Sequence, residues 1–168
     1  MKKKGFTLIE LMITVSIFAI MTALLVAKYG TFNNGVILTN LAYDIALSIR
    51  SAQSYGLNTR GDSNTNTFTG TYTVSFVKNE KSFSLVGSDL NKVTNIKRGS
   101  YISRLCVGTD QSSCQSSPID ALSIAFNRPE PNARINGNNA YGEIEVKSID
   151  GATRKIVVRS TGQIFVSN

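Results

Sequence analysis

The pattern of apolar and polar positions changes twice along the chain. Residues 6–27 are almost continuously apolar, and Glu10 is the one charged side chain among them. As a helix rising about 1.5 Å per residue they reach roughly 33 Å, enough to cross a hydrocarbon core of about 30 Å. Lys28 and Tyr29 follow, a cation and an aromatic suited to a membrane interface. Gly30 and Asn33-Asn34-Gly35 then form a weak point for helix. From Val36 a helical period returns. Ile37, Leu41, Ile45 and Ile49 fall on an i, i+4 stripe that ends at Ala52, with Leu38 and Tyr55 beside it. Asp44, Ser48, Arg50 and Gln53 take the other faces. This reads as a helix with its inner face against a sheet, and Gly56 offers the stop.

Beyond that point the period falls to two. Residues 58–70, rich in Asn, Thr, Ser and Gly, read as a loop. Tyr72, Val74 and Phe76 then alternate with Thr73 and Ser75. A polar turn over 78–81 leads to Phe83 and Leu85 in the same period, which predicts a hairpin. Residues 101–107 and 119–126 are further strands, and 127–142, with Pro129 and Pro131, is a second long loop. The last part reads as a meander: strands over 143–149, 154–159 and 163–166, with turns at Asp150-Gly151 and Thr161-Gly162. The expected architecture is α+β: one long N-terminal helix on an antiparallel β domain of six or seven strands, in one sheet or two.

The N-terminus carries the most specific signal. Lys2, Lys3 and Lys4 precede the apolar run, and such a cluster keeps the amino end in the cytoplasm while the remainder is exported. A secretory signal would have a shorter apolar run and a small-x-small cleavage site. Leu25-Val26-Ala27 before Lys28 is a poor one. A plain single-span anchor accounts for the length but leaves Glu10 unexplained, since an acidic side chain in such a segment is costly and marks a function.

Lys2-Lys3-Lys4-Gly5-Phe6-Thr7-Leu8-Ile9-Glu10, continued by an apolar helix, resembles the prepilin signal of type IV pilins and of type II secretion pseudopilins. The resemblance implies that a prepilin peptidase cuts between Gly5 and Phe6, that Phe6 is then N-methylated, and that Glu10 serves fibre assembly. It implies the pilin fold. Residues 41–56 and the Thr161-Gly162-Gln163-Ile164 ending are most similar to minor pilins and H-type pseudopilins. Many pilins carry a proline in the middle of this long helix; this chain has none before Pro118, and its glycine and asparagines are expected to supply the bend or a melted turn instead. The division that follows is a leader over 1–5, a membrane-spanning and assembly helix over 6–28, an exported amphipathic half over 29–57 and a β domain over 58–168. The partners implied are other pilin or pseudopilin subunits, the peptidase, and membrane lipid before assembly. The subunit is expected first in the cytoplasmic membrane, single-pass, and then in a fibre outside it.

Charge and chemistry change this picture little. The formal net charge is +7, from 18 Lys+Arg against 11 Asp+Glu; without the three leader lysines it is 15 against 11, or +4. That excess is mild and proves no nucleic-acid partner. Arg154, Lys155 and Arg159 supply the alternative of a DNA-binding minor pilin, but a closely spaced arginine pair after the glycine is missing. A non-polymerising membrane-anchored adhesin is the other alternative, and Glu10 argues against it. Arg60-Gly61-Asp62, a tripeptide read by some adhesion receptors, is too short to carry weight. There is no histidine, so the usual general base and triad member is missing. No phosphate-cradling loop is present. Glu143 and Glu145 look like a solvated sheet face opposite Lys155 or Arg159. No enzyme, cofactor or metal site is expected: two cysteines without histidine cannot complete a four-ligand zinc site. Cys106 and Cys114 lie in the exported part, where a disulfide survives, and a bridge between them is the favoured reading over two free thiols.

Overall fold

The structure is a computed structural model that describes residues 5–57, 70–87, 90–127 and 130–167, with residues 28–32 described in backbone only. The leader lysines, Arg60-Gly61-Asp62, most of the loop over 58–70 and Pro129 lie outside the described residues.

Helix α1 runs unbroken from Leu8 to Leu57, 50 residues. The helix is continuous through Gly30 and residues 33–35, so no turn melts there. Glycine costs only about 1 kcal/mol in a helix interior, and asparagine disfavours helix by turning its amide onto its own backbone. Here the Asn34 amide donates instead to the Asp150 carboxylate across the domain. The Gly35 carbonyl accepts the Thr39 hydroxyl at 2.9 Å.

The buried face of the helix is also rotated from the expected stripe. Leu38, Ala42, Ile45, Ile49 and Ala52 are fully buried, while Ile37 and Leu41 are half-buried. A pure i, i+4 series drifts around an α-helix, because four residues overshoot a turn of 3.6. Alternating steps of four and three stay on one face.

Among the described residues ten strands, not six or seven, form two five-stranded sheets in which every neighbouring pair is antiparallel. The first sheet holds β1 (Tyr72–Val77), β2 (Ser82–Val86), β3 (Asn91–Asn95), β6 (Ala121–Phe126) and β7 (Ala133–Ile135), in the order β3-β2-β1-β6-β7. The second holds β4 (Tyr101–Gly108), β5 (Pro118–Ile119), β8 (Tyr141–Lys147), β9 (Thr153–Arg159) and β10 (Ile164–Ser167), in the order β10-β9-β8-β4-β5. The unexpected strands are β3, β5 and β7. The first is an exposed edge with no apolar alternation, the second has two residues, and the third sits within the expected loop 127–142. The hairpin β1–β2 and the meander β8–β9–β10 are as the sequence reads.

The buried stripe of α1 packs on β1 and β6 of the first sheet and on β8, β9 and β10 of the second. Ile124, Phe126, Val74, Ile144, Val146, Ile156 and Val158 complete that core. Near its C-terminal end the helix is also tied by hydrogen bonds. Arg50 Nη2 donates to the Ile164 carbonyl at 3.2 Å, and Gln53 Nε2 to the Pro131 and Gly162 carbonyls at 3.1 and 3.2 Å. The result is an α+β, pilin-like fold.

Truncating Ile49 to alanine should lower the unfolding free energy of the full chain in detergent by about 2–5 kcal/mol, because the side chain is fully buried in the core. Leu47→Ala, on the exposed side, should stay within about 0.5 kcal/mol. Denaturant titrations of the two variants side by side read the difference; equal losses would put the buried face elsewhere.

Candidate functional site

The N-terminal half of α1 shares nothing with the domain. The segment Leu8–Ala27 is long and apolar enough to span a membrane, and none of it is buried by the rest of the chain. Its large side chains point outward all round, with Leu8, Phe18, Leu24 and Leu25 each more than 65 % exposed. In a bilayer every polar group of such a helix must find a partner within the protein. The hydroxyls do so locally. Thr14 Oγ1 donates to the Leu11 carbonyl at 2.9 Å, Ser16 Oγ to Met12 at 2.8 Å, and Thr22 Oγ1 to Phe18 at 2.7 Å.

Glu10 is the fourth polar residue of the segment, and its partner is Thr7. The Thr7 amide donates to Glu10 Oε2 at 2.9 Å and the Thr7 hydroxyl donates to the same oxygen at 2.8 Å. The Glu10 amide in turn donates to Thr7 Oγ1 at 3.3 Å. Thr-x-x-Glu is the spacing of a capping box, in which threonine and glutamate satisfy each other's orphan amides at the first turn. Thr7 belongs to the motif by sequence, and its spacing to Glu10 is the signal for this second role. Gly5 and Phe6 precede the helix in an exposed stretch. A Cβ on Gly5 would meet nothing within 4 Å, so the fold itself does not ask for glycine there.

Cys106 on β4 and Cys114 on the short helix α2 (Gln111–Ser116) are joined by a disulfide, with Cα atoms 5.1 Å apart. Around Cys114 the chain makes a turn and a half of helix, capped by Asp110, whose Oδ1 accepts the Ser113 amide at 2.8 Å. That bond holds the Asp110 carboxyl below the usual carboxylate range. The helix lies so close on Gly108 that a Cβ there would stand 2.7 Å from the Cys114 amide nitrogen.

Under α2 the outer face of the second sheet carries a small second core of Cys106, Cys114, Tyr141 and Val157. Glu143 is drawn into it and is only 2 % exposed, which corrects the reading of Glu143 and Glu145 as a solvated face. Lys155 Nζ lies 3.1 Å from its Oε1, and the Tyr141 hydroxyl donates to its Oε2 at 3.2 Å. Burial, with the charge of Glu143 adding to it, pushes the Tyr141 phenol up to about 12. Glu145 is half-buried and accepts the Ser103 hydroxyl at 2.8 Å.

The three cations considered for DNA do not make one patch. Lys155 is committed to Glu143, and the Arg159 guanidinium stands 5.9 Å over the Phe165 ring. Arg154 points to the opposite face of β9, by the two-residue alternation of a strand. Its Nη1 donates to the Thr153 carbonyl. Asp120, the other acid near the cysteines, lies 3.7 Å from Lys78.

Comparison with known families matches one model, the prokaryotic N-terminal methylation motif, to residues 1–26. No curated protein and no solved structure matches the chain.

Replacing both Cys106 and Cys114 by serine should cost about 2–3 kcal/mol of stability, the loop-closure entropy of so short a ring. The drop is read from the denaturation midpoint of the full chain. Thiol labelling of the unreduced wild type should modify neither cysteine.

Proposed function

We propose that this chain, a type IV pilin-like subunit by its N-terminal methylation motif, is a minor structural component of a type IV pilus or of a type II secretion pseudopilus. It is held in the cytoplasmic membrane by the first half of α1, amino end inward, and then built into a fibre through the same helix. Such a subunit is structural and catalyses nothing. Its divisions are a leader over 1–5, the membrane and assembly helix over 6–28, the exported half over 29–57 and the β domain beyond. The minor assignment rests on residues 41–56 and on Thr161-Gly162-Gln163-Ile164, which resemble minor subunits.

The observation that carries this reading is the capping box at the start of an otherwise bare apolar helix. It lies wholly on the Phe6 side of the Gly5–Phe6 bond, so removal of the leader leaves the helix start intact. That Gly5 has empty space around it supports a demand for glycine from outside the chain, as a peptidase would impose. After cleavage, a methylated amine on Phe6 keeps its positive charge, and each subunit then has one cation and one carboxylate at the tip of an apolar helix. Isolated in lipid, both charges are expensive. Within one subunit Thr7 occupies Oε2 of Glu10. In a fibre the carboxylate would turn to the Phe6 amine of a neighbour, where low dielectric strengthens the pair and fixes the stagger between helices.

Two measurements test this. Mass spectrometry of the membrane fraction should find a mature chain starting at methylated Phe6; an intact Met1, or a start after Ala27, would end the reading. Glu10→Ala should leave insertion and cleavage unharmed, because the segment becomes more apolar. The variant should accumulate, mature, in the membrane and be depleted from sheared fibres in a strain lacking the wild-type copy. Glu10→Asp should do less damage. Entry of Glu10→Ala into fibres at the wild-type level, or its loss from the membrane, would refute the assembly role.

A further inference from the structure

The end of the β domain nearest the apolar half of α1 is a cationic rim with one bare apolar tip. The antiparallel registers bring three connections to that end: the β1–β2 turn at 78–81, the β3–β4 connection at 96–100, and the β8–β9 turn at 148–152. The Asn34–Asp150 hydrogen bond fastens the last of these to α1. Asn34 is seven residues beyond Ala27, the end of the apolar span. At about 1.5 Å per residue the rim therefore stands roughly 10 Å above that end. The polar layer of a bilayer adds roughly 5–7 Å to each side of the hydrocarbon, and spanning helices tilt by about 20° on average, which lowers one side of the rim further.

The side chains there suit such a surface. Ile149 is 76 % exposed, the most exposed large apolar residue of the β domain among those described. It lies across Gly99, where a Cβ would collide with it, so Lys97 and Arg98 sit beside it, both exposed. Lys147 is half-buried two residues before the tip, and Lys81 is exposed; the Ile96 amide donates to its carbonyl at 2.7 Å. Among the described residues the acids at this end are Glu80, Asp120 and Asp150, against the cations Lys78, Lys81, Lys97, Arg98 and Lys147. Asp120 faces Lys78, and Asp150 accepts the Asn34 amide without losing its charge to that neutral donor. Five cations against three acids leave positive charge around an apolar tip.

We propose that this rim rests on the membrane while the subunit is anchored, with Ile149 entering the headgroup layer and Lys97, Arg98, Lys147 and Lys81 facing anionic phosphates. The contact rests on the anchoring role given to α1 above. It would hold the domain down on the bilayer before the subunit is withdrawn, and withdrawal would break it.

The test uses the full chain, one copy per lipid nanodisc, labelled through Ile149→Cys or, at the opposite end of the domain, Thr161→Cys. The native cysteines are bridged and do not compete for the label. Discs contain phosphatidylcholine alone or mixed with phosphatidylglycerol, with a spin-labelled lipid headgroup as quencher. The label at 149 should be quenched in the anionic discs and relieved by high salt, while the label at 161 is not quenched. Lys97→Gln with Arg98→Gln should shift the population away from the membrane by about fivefold per cation removed. Equal quenching at 149 and 161, or quenching at 149 indifferent to lipid charge, overturns the proposal while leaving the anchor in place. Shielding of 149 only when two copies share a disc would assign the rim to a second chain and also overturn it. A chain that leaves the disc overturns both this and the anchoring.

Discussion

One helix has to be stable in two solvents, and the rest of the molecule answers to that. Over Leu8–Ala27 the backbone and its few polar side chains must be satisfied without help from any other element. Over Leu38 to Ala52 the same rod carries a buried stripe that needs a dry surface, and both sheets contribute to it. The chain meets the second demand by passing repeatedly between two sheets. Strands β1 to β3 belong to the first, β4 and β5 to the second, β6 and β7 return to the first, and β8 to β10 close the second. Neither sheet is completed until the chain has visited both, and the buried stripe of the helix rests on the two together.

The outer face of the second sheet is managed differently. Six helical residues are too few to hold themselves, so α2 is fixed by a cap at Asp110, a covalent link to β4 and close contact with Gly108. Beside it Glu143 is buried, where its charge would be costly alone; Lys155 and Tyr141 supply the compensation. The cations of β9 are thereby drawn into structural work.

Legibility in the sequence followed from how much of each element's stability is local. The apolar span, the β1–β2 hairpin and the terminal meander carry their own periodicity and turns, and they appear where expected. The motif around Gly5, Phe6 and Glu10 is a contiguous string, and the methylation-motif model covers the same residues. Strands β3, β5 and β7 are too short or too polar to announce themselves and exist because a neighbouring strand offers an edge. The persistence of α1 through Asn34 was hidden for a similar reason, since its compensation comes from Asp150, 116 positions away. The burial of Glu143 comes from contacts with other elements, which no alternation within β8 can reveal.

The continuity of α1 also has a mechanical meaning. Fifty residues at about 1.5 Å each make a rod of roughly 75 Å, with no hinge between its lipid-length half and the half clasped by the sheets. Axial force applied to the bare half is carried by the helix's own hydrogen-bond ladder and arrives at the domain as displacement, since no joint stands between to absorb it. The domain must therefore travel as far as the tip does. Any contact that the domain makes with its surroundings is loaded from the first ångström of movement.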